Sequence, residues 1–142
     1  MRHKPPQVLL LIVTSSEIAG APLAPELFAS LDPLVLAGSR CAGCATVQFP
    51  PARQCAHCAT DAPQPIALPT AGRIWTWTVQ RFEPKPPYVA PPGGFTPFAV
   101  GYVDLGEVLV ESLLLGEPVI GAEVRVVRAP AAGGAFTFAF SS

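Results

Sequence analysis

Apolar and polar residues alternate through most of the second half of the chain. In GRIWTWTVQRF, Ile74, Trp75, Trp77 and Val79 are interleaved with Thr76, Thr78 and Gln80, all residues that favour strands. FAVGYVDL and VLVESLLL predict two further strands, with a tight connection at Gly106-Glu107. AEVRVVRAP alternates again, with Val124 and Val126 on one face, and AFTFAF predicts a last strand. With no helix long enough to cross over, five strands predict an antiparallel sheet. At this size a small barrel is the economical way to protect its edges. Trp75 and Trp77, two apart on one face, are expected to pack in the core. EPKPPYVAPPGGFTP, between the first two strands, is too rich in proline to be anything but a loop.

The first half reads differently. Pro22 to Leu36 predicts a short helix: Pro25 suits its first turn, Glu26 suits the positive end of the dipole, and Pro33 stops it. Leu27, Phe28 and Leu31 would form its apolar stripe, which must dock because so short a helix is marginal alone. Further on, TDAPQPIALPTAG marks a boundary with its prolines and glycine. At the amino terminus, MRHKPPQVLLLIVTSSEIAGA imitates a signal peptide weakly. Its apolar core, Val8 to Val13, lies at or below the usual lower limit and is too short to span a bilayer. An extra strand, or residues foreign to the working protein, are the competing readings.

Composition adds two constraints. Half of the 142 residues are apolar and 13% are charged, against about a quarter charged in ordinary soluble domains. Such a chain carries more apolar surface than a small core hides, and the excess belongs in a partner interface. The net charge is −1, with no clustered basic excess. Polyanion binding draws on such an excess, so a nucleic-acid partner is not expected.

All four cysteines fall in CAGCATVQFPPARQCAHC, as two C-x-x-C pairs. Each pair places two sulfurs on one tight turn, and two such turns complete a tetrahedron around zinc. The intervening stretch is long enough for two short strands and a turn, so Cys41, Cys44, Cys55 and Cys58 predict a zinc ribbon. Two disulfides, or an iron site of rubredoxin type, are the alternatives. Four thiolates close the coordination shell, which suits a structural ion rather than a catalytic one. Clustered thiols also suit a reducing compartment, so the protein is expected in the cytoplasm.

Catalytic chemistry of its own is not expected. Every cysteine is committed to metal, His57 sits inside a knuckle, and His3 lies in the doubtful terminus. Asp104, Glu107, Glu111, Glu117 and Glu123 are scattered over turns and strand faces. Ser15, Ser16 and Ser112 lack an elbow motif, and Gly93-Gly94 has no helix after it to make a phosphate loop.

SRCAGCATVQFPPARQCAHCATD, with the Phe49-Pro50-Pro51-Ala52-Arg53 stretch between its knuckles, resembles the rubredoxin-like zinc ribbon of the DUF35 family. The later order is also similar: GRIWTWTV, FAVGYVDL, then VIGAEVRV with Ile120-Gly121 before Val124. The resemblance covers Pro25 to Phe140 and leaves Met1 to Ala24 unmatched. It implies a ribbon joined to an OB-fold barrel, divided as an extension at 1–24, a short helix and lead-in strand at 25–39, the ribbon at 40–66 and the barrel at 67–142. It also implies a non-catalytic subunit that binds a thiolase-like enzyme, a MaoC-like hydratase or an aldolase and helps to shape its acyl-CoA site. On that reading a CoA thioester is a possible shared ligand, with Arg81, Lys85 and Tyr88 as candidate contacts. Phe49, Pro50 and Pro51 are candidate partner contacts. No membrane is involved. The rival readings are a single-stranded nucleic-acid-binding ribbon and barrel, and a stand-alone acyl-CoA-binding protein.

Overall fold

The predicted helix over Pro22–Leu36 does not form. That stretch makes one 3-10 turn, Pro25–Leu27, and then a hairpin of β1 (Phe28–Leu31) and β2 (Leu34–Cys41). The structure, a computed structural model, describes residues 18–86, 88 and 90–142. Pro33 limits a helix here to about eight residues, too few to hold without docking, whereas Asp32-Pro33 is a turn-forming pair. Burial alternates along β1, and Phe28 reaches the rings of Phe136 and Phe138 at 5.7 and 6.4 Å. Leu31, expected on the helix's apolar stripe, is instead 40% exposed. The apolar run Val8–Val13, His3, Ser15 and Ser16 lie outside the described residues.

Strand β2 is the centre of the first sheet. It pairs antiparallel with β1, with β3 (Val47–Gln48) and with β4 (Pro63–Ala67), and it ends on the first cysteine. Pairing on both edges gives Cys41 a rigid support.

The five predicted strands are all present: β5 (Ala71–Gln80), β6 (Phe98–Asp104), β7 (Leu109–Leu115), β8 (Glu123–Pro130) and β9 (Phe136–Ser141). They close into a barrel in the order β5-β6-β7-β9-β8. The barrel is not antiparallel throughout, because β7 and β9 run parallel through Leu114↔Phe140 and Leu115↔Ser141. Strand direction cannot alternate all the way round an odd-membered ring, so one neighbouring pair must be parallel. Closure falls on this short two-residue pairing.

Val103, Val110 and Phe140 are fully buried inside the barrel, and the same core continues into Leu36, Val47 and Leu68 of the first sheet. Phe138 joins the two parts, touching Phe28, Phe49 and Phe140. Gly101 lets β5 and β6 approach closely, since a Cβ there would collide with the Thr76 carbonyl oxygen.

The two tryptophans are not core residues. A bulge shifts the register so that Ile74 faces Val103 and Thr76 faces Tyr102, leaving Trp75 as the extra residue. Trp75 is 56% exposed, and its ring meets Tyr102 edge-on at 6.4 Å. Trp77 is 39% exposed, on the half of β5 beyond its pairing with β8 over Ala71–Arg73. Among the described residues, no helix is long and apolar enough to cross a membrane.

Candidate metal centre

Each cysteine pair sits on a turn that the local sequence dictates. In the first, the Ala45 amide donates to the Cys41 carbonyl at 2.9 Å, and the Cys41 amide donates to the Thr46 carbonyl at 3.0 Å. In the second, Ala59 donates to Cys55 at 2.9 Å and Cys55 donates to Thr60 at 2.9 Å. Ala45 and Ala59 adopt left-handed φ of 64° and 63°, which folds each chain back over its own sulfurs. The two knuckles repeat one hexapeptide, CAGCAT at 41–46 and CAHCAT at 55–60. The cysteine spacing marks only the sulfurs, whereas the repeat of the whole hexapeptide pattern also marks both threonines.

The four Sγ atoms lie within 4.8 Å of one another. Cys41 and Cys58 are 3.5 Å apart, and Cys44 and Cys55 are 3.6 Å apart. Tetrahedral ligands at a zinc–sulfur distance of about 2.3 Å stand about 3.8 Å from each other, so the cluster fits one such ion. Disulfide sulfurs would lie about 2.05 Å apart, and all four thiols are free. Cys41 and Cys55 are buried, while Cys44 and Cys58 form the outer side.

The electrostatics also suit a cation. The Thr60 hydroxyl, helped by the Cys44 and Gly43 amides, holds the Cys41 thiol down at about 6 despite burial. The Thr46 hydroxyl and amide lower Cys44 in the same way. Cys55 goes up: the Cys58 amide pulls against the rise, but burial and the neighbouring Cys44 and Cys41 thiols outweigh it. Four acids this close cannot all ionise unaided, and a divalent cation removes that conflict.

Around the cluster, the buried Ser39 hydroxyl accepts from the Ala52 amide at 3.0 Å and ties the FPPAR segment to β2. Arg40, next to Cys41, reaches the barrel. Its guanidinium donates to both Glu107 carboxylate oxygens, at 2.9 and 2.6 Å, and to the Ala45 carbonyl at 3.3 Å. This fork spans from the first knuckle to the β6–β7 turn, and nothing in the sequence pattern announces it. The Arg40 hydrogen bond and charge hold the Glu107 carboxyl below the usual carboxylate range. A carboxyl depressed by folding contributes stability above its unfolded pKa and loses it as pH falls through the folded value. Glu107→Gln should therefore match the wild type in acid and be less stable at neutral pH. The difference should be small because both partners are exposed; pH-dependent thermal unfolding reads it.

The other candidate residues lie away from the metal. Arg81 and Lys85 are exposed on the loop after β5. Tyr88 is half-buried within that loop, stacked on Phe98 and edge-on to Phe95. Phe49 packs edge-on against Phe138 at 5.6 Å, leaving Pro50 and Pro51 exposed. Phe49 and Pro50 roof a groove of ≈ 550 Å³ whose floor is the outer face of β6 and β7, with Tyr102, Leu109, Glu111 and Leu113. Arg81, Lys85 and Tyr88 do not line it. His57 is exposed, and Asp104 accepts from the Gly106 amide in a turn.

Two family models match, one after the other. The ChsH2 rubredoxin-like zinc ribbon domain covers residues 28–64, and the ChsH2 C-terminal OB-fold domain covers residues 65–128. Among solved structures, the chain is similar to one described as "Ltp2-ChsH2(DUF35) aldolase", at a TM-score of 0.59 and 23% identity, over 75% of this chain and 84% of that one. A DUF35-family protein of unknown function from Sulfolobus solfataricus aligns at a TM-score of 0.56 and 14% identity, over 94% of this chain and 96% of that one. No curated protein sequence matches the chain. With a four-cysteine ribbon and a closed five-stranded barrel in this order, the chain belongs to the DUF35 family, with zinc-ribbon and OB-fold domains of the ChsH2 kind.

Proposed function

We propose that this chain is a non-catalytic accessory subunit that binds an enzyme acting on CoA thioesters and helps to form its acyl-CoA site. The enzyme is a thiolase-superfamily member, a MaoC-like hydratase or an aldolase. Cys41, Cys44, Cys55 and Cys58 hold one structural zinc ion, which joins the two knuckles of the ribbon. A site of four thiolates suits a reducing compartment, in keeping with a cytoplasmic location.

One observation carries the docking role. Trp75 and Tyr102 form an exposed aromatic pair on the outer barrel wall, and Tyr102 continues into the groove beneath Phe49 and Pro50. A continuous apolar face of this kind marks an interface. Aromatic side chains set beside a pocket are also the commonest anchors of binding energy. The similar structure that pairs ChsH2 with Ltp2 supports the same reading. Arg81 and Lys85, exposed on the loop after β5, are the cations offered to CoA phosphates, with Tyr88 packing that loop from within.

Affinity purification of the tagged chain from its own cells, with mass spectrometry of the co-purifying proteins, tests the proposal. A thiolase-like, hydratase-like or aldolase-like subunit at near-stoichiometric yield is the expected result. Recovery of ribonucleoprotein components in its place would transfer the assignment to nucleic-acid binding.

A further inference from the structure

Four thiolates around one divalent cation leave a net charge of −2 on the knuckles. Arg40, next to Cys41 in sequence, is already engaged by Glu107 and the Ala45 carbonyl. The excess charge must be met by dipoles, and the hydroxyls of the two repeated threonines are placed for it. Thr60 Oγ1 stands 3.2 Å from Cys41 Sγ and 3.1 Å from Cys58 Sγ, one sulfur from each knuckle. The Cys44 thiol donates to Thr46 Oγ1 at 3.1 Å, and on ionisation that sulfur can only accept, so the Thr46 hydroxyl becomes the donor.

This placement is built into the backbone. In each hexapeptide the threonine follows a left-handed alanine, and its carbonyl accepts from the amide of the first cysteine of its own knuckle. The main chain at both threonines is therefore clamped, and the β-branched side chain has few rotamers left to choose from. The two positions are not equivalent. Thr46 serves one sulfur within its own knuckle, whereas Thr60 stitches the second knuckle to the first.

We propose that Thr46 and Thr60 are positioning residues of the metal centre: their hydroxyls donate hydrogen bonds to metal-bound thiolates and set how tightly the ribbon holds zinc, with Thr60 contributing more. The inference rests on the zinc assignment made above. Partners that orient and polarise metal ligands change metal affinity by about 10- to 100-fold when removed. Thr60→Val keeps the shape and removes the donor, while Thr60→Ser keeps the donor and removes a methyl.

Competition between the zinc-loaded full-length chain and a chromophoric chelator at fixed pH measures the affinity. Thr60→Val should bind zinc about 10- to 100-fold more weakly, Thr46→Val should lose less, and Thr60→Ser should stay near the wild type. Cobalt substitution supplies a readout that packing alone does not move. Losing a hydrogen bond leaves more electron density on sulfur, so the sulfur-to-cobalt charge-transfer band of Thr60→Val should shift to lower energy, and that of Thr60→Ser should not. Wild-type affinity with an unshifted band in Thr60→Val overturns the proposal, and so does equal weakening in Thr60→Val and Thr60→Ser. If Thr60→Val does not fold, the same band and affinity are read in Thr46→Val, where an unshifted band and wild-type affinity overturn it. A wild-type chain that takes up no zinc overturns the metal assignment itself, a distinct failure.

Discussion

Cys41→Ser and Cys55→Ser should each abolish stoichiometric zinc and unfold the ribbon. Apparent binding energies of structural zinc are on the order of 10 kcal/mol at neutral pH, as large as the whole stability of a typical domain. No side-chain packing around these small knuckles, built from alanine, glycine and threonine with one exposed histidine, replaces that amount. The loss should also spread, because Leu36, Val47 and Leu68 on the ribbon side share one core with Val103, Val110 and Phe140 of the barrel. We expect the thermal midpoint of the whole chain to fall by about 10 °C or more, and a strong chelator should reproduce the effect in the wild type. Elemental analysis and thermal unfolding check both points. A Cys55→Ser protein with one zinc per chain and an unchanged melting curve would remove the metal assignment.

Trp75→Ala and Tyr102→Ala should weaken the partner complex while leaving the fold intact. Both side chains stand on the outer wall, so neither substitution opens a cavity in the core. At the centre of an interface such aromatics typically contribute about 2–4 kcal/mol each, equivalent to about 30- to 1,000-fold in Kd. Titration of the purified partner, alongside a melting curve of each variant, separates docking from stability. Unchanged affinity for both variants would move the docking face elsewhere. A large loss of thermal stability would return the tryptophan to the structural role that the alternating pattern suggested.

That pattern was a sound guide to the barrel and a poor one at two places. All five barrel strands were legible because each is a run of six to ten residues, apolar or alternating, set off by glycine or proline nearby. The bulge at Trp75 was not legible. It depends on how β6 pairs with β5, and Gly101 allows that approach without announcing it. The stretch Pro22–Leu36 predicts a helix where β1 and the start of β2 form, because Leu27, Phe28 and Leu31 fit a helical stripe over a single turn. Over so few residues the two periods are hard to tell apart, and contact with Phe136 and Phe138, more than a hundred positions away, decides between them.

The sequence by itself determined what is local or periodic: the strands, the turns between them, and the cysteine spacing that forces two sulfurs onto each knuckle. It also held the repeated hexapeptide that places a threonine beside each sulfur pair. Tertiary structure alone decided what joins distant positions. The four sulfurs meet because β2, β3 and β4 bring the knuckles together, and Arg40 finds Glu107 only once the barrel packs beneath the ribbon. The parallel pairing of β7 and β9 follows from closing a ring of five strands. Short-range structure is set by backbone sterics and side-chain period within a few residues. Contacts across the chain depend on which surfaces remain to be buried once those elements exist, and no single stretch of sequence encodes that choice.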